Sequence, residues 1–561
     1  MWQHNYEPVS GSLGLSAAVA AIPIVVLFLM LGVWRKPSWL SALGALGSAL
    51  VVALVVYGMP VQLAVMSTLY GAAYGLFPIA WVVFSSIMLY RLAVDTGKFE
   101  IIKDSVGNLT DDRRLQAIFI AFSFGAFIEG AAGFGAPVAV AGAMLAGLGF
   151  NPFYAAGICL LANTAPVAFG SIGIPVVTLA SVTGLPLPQL SAMVGRLCSM
   201  VSLFIPGYLV VVMVGRKRAL EVLPAIIACG VSFAGMQFFV SNFVGAELTD
   251  IASSLTCIVV MVAVMKVWRP ANIMRLEGDS PVTVALKQHS GREVFVAWMP
   301  YLLLVVFVLA WGEPTIKAFI DGWTNGLLPS MLPRNAGTLN GLNVPGLHNL
   351  ILRVPPVTSA PAPYGAVFTF NWLSASGTAC LLATLATALF LRLKPAQVVH
   401  AYKSTFAQLS FAMVTIASML GLAYLMNYSG MTSTLGLELA STGSAFPFFS
   451  AVVGWLGVFL TGSDTSANAL FGNLQVVTAT TLGLNPILTA SVNSAAGVMG
   501  KMISIQSIAV AVAATGMTAA DESRLFRFTI KHSVLLMVIM GILAMLFAYV
   551  FPGAVPVVPP R

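Results

Sequence analysis

The sequence predicts an all-α integral membrane protein of about 12–14 transmembrane helices, built as two inverted-topology repeats with broken or re-entrant helices. Three observations carry that expectation: a composition too apolar for a water-soluble fold, basic residues gathered in short loops, and motifs that return in order at a nearly constant offset.

Of the 561 residues, 58% are hydrophobic and 8% are charged. A soluble protein carries roughly 25% charged residues, so this chain lacks the polar surface that water requires. A bilayer is the alternative solvent, and about 20 mostly apolar residues cross it as a helix. Stretches of that kind include 13–34, 40–57, 61–90, 188–214, 219–240, 248–268, 294–312, 373–391, 404–427 and 525–551. Backbone polar groups in lipid must be satisfied within the segment, and these runs lack the alternation of barrel strands, so they read as helices. The first stretch has no basic region before it and runs into Trp34, Arg35 and Lys36 rather than a small-residue cleavage site, so it reads as a retained span. Segment 313–370 is rich in Pro, Gly and Asn; Pro355, Pro356, Pro361 and Pro363 argue against a span, and a short surface helix is expected near 315–328. The cysteines Cys159, Cys198, Cys229, Cys257 and Cys380 stand singly in apolar stretches, which points to neither a metal site nor a disulfide framework.

The net charge of +8 does not indicate a nucleic-acid partner, because of where the charges lie. Of the 27 basic residues, 21 fall in six clusters: Arg35/Lys36, Arg91 to Arg114, Arg216 to Arg218, Lys266 to Arg292, Arg392 to Lys403 and Arg524 to Lys531. This is the positive-inside pattern; it puts those loops in the cytoplasm and both chain ends outside.

Trp39-Leu40-Ser41-Ala42 returns as Trp372-Leu373-Ser374-Ala375, and Pro60 as Pro395. Gly97 matches Gly430, Phe127 and Gly130 match Phe459 and Gly462, and Leu148-Gly149-Phe150-Asn151-Pro152 returns as Leu482-Gly483-Leu484-Asn485-Pro486. Asn163 and Gly170 pair with Asn493 and Gly500, so every offset lies between 330 and 335. Small-residue motifs recur by chance in apolar sequence, but a shared order and offset indicate a duplicated unit. Span 61–90 ends at Arg91, whereas its partner 404–427 begins after Lys403, so the copies are inverted. Residues 1–215 form the first repeat, 216–291 a linking hairpin with a cytoplasmic loop, and 292–561 the second repeat with the external loop 313–370. Inverted repeats mark secondary carriers, whose sites lie at broken helices near the bilayer midplane.

Ionisable residues inside a bilayer are costly and point to function. Among the acids, Glu129 and Asp464 are read as lying inside apolar regions; among the bases, Lys501 and Arg196. The histidines fall in loops or at span ends, so proton coupling is assigned to Glu129 and Asp464. Glu129 precedes Gly130, Gly133, Gly135 and Pro137, which cannot form a uniform helix. A break there frees backbone N–H groups at a half-helix start, which attracts anions. The equivalent stretch, Gly462-Ser463-Asp464-Thr465-Ser466, reads as a cap before a new helix, a role that serves Asp464 equally well. The expected substrate contacts are Lys501, Gly133, Gly135, Asn163, Thr164, Thr465, Ser466, Asn468, Asn493 and Ser494. Polar groups of these kinds also bind helices to one another, and Lys501 reads equally as a salt-bridge partner of Glu129 or Asp464. Arg196 reads as snorkelling near an outer span end, and Tyr70, Tyr74, Trp81 and Tyr90 as packing or interface anchors.

Long strings of the chain resemble the L-lactate permease family of bacterial plasma-membrane carriers. They are Met1 to Tyr6, Phe77-Pro78-Ile79-Ala80-Trp81, Glu129 to Pro137, Asn163 to Gly170, Leu460 to Asp464 and Gly500-Lys501-Met502-Ile503-Ser504. The resemblance covers nearly the whole chain. It implies import of L-lactate, with D-lactate and glycolate, together with a proton, and residence in the bacterial inner membrane in contact with lipid. It brings no assignment of site residues. No HExxH or GxSxG motif is present, so no catalytic residue, metal or cofactor is expected. Two other readings stand beside it: a sodium-coupled carboxylate or dicarboxylate carrier, and an uncoupled organic-anion channel. The sequence sets no oligomeric state.

Overall fold

Apolar runs close their own backbone hydrogen bonds as helices, and the structure is helical accordingly. It is a computed structural model and describes residues 1–107, 109–133, 135–275, 287–329 and 332–557. Among these, 11 helices are long and apolar enough to cross a membrane, or up to 13 if each of two bent pairs is one span. The chain is a multi-pass membrane protein. Nine of the long helices, from Leu13–Val33 to Glu522–Tyr549, coincide with stretches read as spans. The stretch 373–391 forms the shorter helix Ser376–Phe390, and two long helices, Arg113–Ala131 and Met431–Thr461, fall outside the stretches named above. The first of these opens on Arg113-Arg114-Leu115-Gln116, and the second is interrupted by the polar letters between Ser441 and Ser444, which blur an apolar run.

Two helical hairpins and two broken helices occupy the centre. Arg113–Ala131 turns near Gly133, and Ala136–Gly147 packs back along it. Phe446–Thr461 turns at Gly462 and Ser463, and Asp464–Thr481 packs back in the same manner. Pro152–Ala162 and Val167–Thr183 meet at a 62° bend, and Pro486–Lys501 and Ile505–Ala514 at 41°. Phe134, within the first hairpin's turn, lies outside the described residues, as do 276–286 of the linking loop.

The two ends of the molecule differ in chemistry. At one end Arg114 bonds Asp112, Glu221 and the carbonyls of Arg218 and Asn272. Arg113 Nη1 donates to the Leu148 carbonyl there at 2.9 Å. At the other end, Arg196 Nε donates to Asn242 Oδ1 at 2.9 Å and Nη1 to the Ala554 carbonyl, while Asn485 Nδ2 donates to the Pro556 carbonyl at 3.0 Å. Helices Leu187–Val214 and Leu223–Phe243 run between these clusters. The Leu148–Pro152 and Leu482–Pro486 loops therefore sit toward opposite ends. Arg196 is bonded on both sides rather than snorkelling.

Segment 313–370 contains the expected helix, at Pro314–Leu327, and also strands too short to show a sequence period. Ile351–Arg353 pairs in parallel with Trp2–Gln3 and antiparallel with Ala362–Pro363, and Gly341–Asn343 pairs antiparallel with Val367–Thr369. The N-terminus and this segment thus share one end. Buried apolar side chains form two main clusters. One includes Phe119, Ile128, Leu160 and Met499 of the first hairpin and the broken helices; the other includes Ala42, Leu63, Leu420 and Tyr424 of the flanking spans.

Candidate functional site

The breaks meet at one cavity of about 310 Å³. Each break is where the local sequence cannot continue a helix. Gly135 caps Ala136–Gly147 with φ of 83°, a left-handed value that residues bearing a Cβ rarely adopt. Gly462 ends Phe446–Thr461 in the same region, with φ of 71°. Ser463 then caps the next helix, its Oγ accepting from Ser466 N at 3.3 Å. Asp464 is therefore not the cap; it is the first helical residue, and its side chain turns inward.

The cavity brings together Glu129, Gly135, Asp464, Thr465, Ser466 and Lys501, drawn from both hairpins and one broken helix. Lys501, at the C-terminal end of Pro486–Lys501, donates from Nζ to Glu129 Oε1 at 2.9 Å. Glu129 is 3% exposed, and its Oε2 has no hydrogen-bond partner among the described residues. This is an ion pair of nearly full burial with one unsatisfied oxygen. Removing either charge from such a pair costs roughly 3–5 kcal/mol, because the other is left uncompensated.

Asp464 accepts from Ser494 Oγ at 2.6 Å and from Asn468 Nδ2 at 3.3 Å, and its Oδ1 has no partner among the described residues. Asn468 also donates to the Pro175 carbonyl at 3.1 Å, Asn493 Nδ2 donates to Asn468 Oδ1 at 2.9 Å, and Gln475 Nε2 to Asn493 Oδ1 at 3.1 Å. Asn468, Asn493 and Ser494 thus hold Asp464 and join the helices, instead of lining the cavity as substrate contacts. Gly133 is also off the wall; its neighbour Ala132 accepts from Ser171 Oγ at 3.0 Å. Asn163 and Thr164 border a small crevice that shares Lys501 with the cavity, and Thr164 Oγ1 bonds the Leu161 carbonyl at 2.7 Å. The tyrosines stay outside it: Tyr70 donates to the Val367 carbonyl at 2.7 Å, and Trp81 to Thr378 Oγ1 at 3.0 Å.

The sequence reading omitted three groups of residues. Thr461, Ser463, Gln506 and Ser507 add polar wall, and the repeat points to them because they flank its two second-half breaks. Trp39 and Phe411, with ring centroids 5.5 Å apart, line the cavity from flanking spans. Asp250 is a third buried acid, 1% exposed, which corrects the reading that Glu129 and Asp464 alone lie inside apolar regions. It stands in the first turn of Thr249–Val267, and its place next to the loop hid its burial. His532 is likewise inside Glu522–Tyr549 rather than at a span end, 2.5 Å from Tyr208 Oη.

A family profile described as L-lactate permease matches residues 16–551. The chain is 46% identical over 567 residues to the L-lactate permease of Bacillus subtilis, covering 99% of this chain and 100% of that one. It is 43% identical over 560 residues to the L-lactate permease of Escherichia coli, at 99% and 100% coverage. To the glycolate permease GlcA of Escherichia coli it is 44% identical over 565 residues, at 98% and 99% coverage.

Proposed function

The chain belongs to the L-lactate permease family, a family of carriers rather than enzymes, and we propose that it brings lactate and glycolate across a bacterial plasma membrane together with a proton. One observation carries the reading: Lys501 is held by Glu129 at 2.9 Å on the wall of a cavity of about 310 Å³. A lysine ammonium is a point charge that can serve one carboxylate or another. When the substrate carboxylate takes Lys501, Glu129 loses its partner in a site poor in water. A lone buried carboxylate is far more costly than the neutral acid, so Glu129 takes up a proton as the anion binds. Substrate and proton then enter as a neutral pair. When the substrate leaves, Lys501 returns to Glu129 and the proton is shed. Backbone N–H groups at the start of Ala136–Gly147 and Asp464–Thr481 add anion affinity, and Thr465, Ser466 and Ser463 can meet the 2-hydroxyl.

The reading extends to two inverted repeats, residues 1–215 and 292–561, joined by 216–291. In support, helix Val61–Asp95 matches Pro395–Ser429, the hairpins and broken helices follow in the same order in each half, and the paired Leu-Gly loops sit toward opposite ends. The positive-inside pattern supports both termini lying outside.

The test is uptake of radiolabelled lactate by purified protein in liposomes, with a proton or a sodium gradient imposed. Accumulation driven by an inward proton gradient and indifferent to sodium is the expected result. Accumulation that follows sodium alone, or equilibration without accumulation, would contradict it.

A further inference from the structure

The exchange at Lys501 leaves Asp250 unused, and Asp250 is buried with neither carboxyl oxygen hydrogen-bonded among the described residues. A carboxyl placed that way holds its proton unless a charge shifts nearby. Its Cβ presses against Gly130, the neighbour of Glu129: a Cβ added at Gly130 would lie 2.8 Å from it. Residue 130 therefore admits Asp250 only because it has no side chain. The charged groups that act on Asp250 are Glu129 and Lys501, and Asp250 in turn acts on buried Cys198. Asp250 does not line the substrate cavity; it stands behind Glu129, on the linking hairpin.

Glu247 lies three residues earlier in the turn that leads into the same helix, where Thr249 N bonds the Ala246 carbonyl at 3.4 Å. Residues so spaced share a face. Glu247 lines a second cavity of about 290 Å³, together with Trp311, Glu313, Lys317, Ser374 and Ser376. That cavity is at the end of the molecule that carries Pro314–Leu327 and the N-terminal strand. The substrate cavity instead reaches Ser38 and Trp39, which directly follow Arg35 and Lys36. The two cavities thus approach Glu129 from different directions, and Asp250 lies between Glu129 and the second.

We propose that Asp250 is the proton relay of this carrier, loaded from the Glu247 cavity and discharged to Glu129 when the substrate takes Lys501. The O–H bond on Asp250 breaks as one forms on Glu129, and Asp250 regains a proton from water at Glu247. Proton and substrate then reach the site by separate routes. The proposal rests on the lactate–proton reading above.

The experiment uses the full chain in liposomes as wild type, Asp250→Asn, Asp250→Glu and Glu247→Gln, with lactate exchange and pH-gradient-driven lactate accumulation measured on each. Asp250→Asn keeps exchange within about threefold and loses gradient-driven accumulation at least about tenfold, by the differential costs of a lost charge partner. Asp250→Glu restores accumulation, and Glu247→Gln slows it while leaving exchange alone. Full accumulation in Asp250→Asn overturns the relay. So does loss of both activities in folded Asp250→Asn without rescue by Asp250→Glu, which would make the residue architectural. Unchanged accumulation in Glu247→Gln overturns the loading route. A wild type that ignores the pH gradient defeats the lactate–proton reading instead, so the two failures are distinct.

Discussion

Lys501 carries one positive charge for which two anions compete. In the structure Glu129 holds it at 2.9 Å, and in the proposed cycle the substrate carboxylate displaces Glu129. Lys501→Gln removes the charged donor from a partly dehydrated site, where such a loss costs roughly 2–5 kcal/mol. Lactate affinity, measured calorimetrically on purified protein, should fall by well over tenfold. Unchanged affinity in a folded variant would reduce Lys501 to a structural partner of Glu129. At this scale the sequence shows the ionisable residues but not their pairing. Glu129 and Lys501 are 372 positions apart, and only the fold decides whether Lys501 serves Glu129 or Asp464. Asp250 escaped notice because it begins a helix, and a position at the edge of an apolar run reads as loop. Asn468, Asn493 and Ser494 are polar letters in apolar runs whether they face a substrate or one another, so their network was not legible.

Breaks in helices were far more legible, because glycine and proline act locally. The turns at Gly133 to Gly135 and at Gly462 could be read from composition alone. That Ser463 rather than Asp464 caps the second could not, since both residue types cap well. Short strands such as Trp2–Gln3 have no readable period, and their pairing with Ile351–Arg353 depends on partners distant in sequence. This strand carries a pH-dependent contact. His4 Nε2 donates to the Tyr428 carbonyl at 2.9 Å, among Trp2, Tyr6 and Tyr364. Burial pushes the imidazole down to about 4 from its ordinary 6.5; the Tyr428 carbonyl opposes this, and Arg353 adds to it. The unfolded chain then binds more protons at His4 between those values, so stability present above about pH 6.5 is lost as pH falls toward 4, by about 3 kcal/mol in full. Thermal unfolding in detergent should show a lower midpoint at pH 5 than at pH 7.5, and His4→Gln should flatten that part of the dependence. An equal slope in both proteins would refute the assignment.

Taken whole, the molecule has two main apolar cores with the candidate site at their seam, since Glu129 and Lys501 come from elements of one and Trp39 and Phe411 from elements of the other. Such a seam is where a carrier can open alternately to its two sides. The sides are assigned by charge pattern, and the assignment is testable. A cysteine introduced as Leu350→Cys should react with an impermeant maleimide in intact cells, and Arg275→Cys should not; the reverse would overturn the inverted arrangement. The helical membrane class was legible because composition dictates it, and the duplicated order because matched letters survive at a near-constant offset. The meeting of four breaks at one cavity was not, since it depends on how the halves pack. Everything in the proposed cycle depends on Glu129 taking up a proton when lactate displaces it from Lys501. That step is measured directly by adding lactate to the purified, weakly buffered protein with a pH-sensitive dye present. The wild type should take up about one proton for each lactate bound, since Glu129 changes protonation state on binding, and Glu129→Gln should bind lactate with no uptake. Binding without proton uptake in the wild type, or equal uptake in Glu129→Gln, would contradict the account.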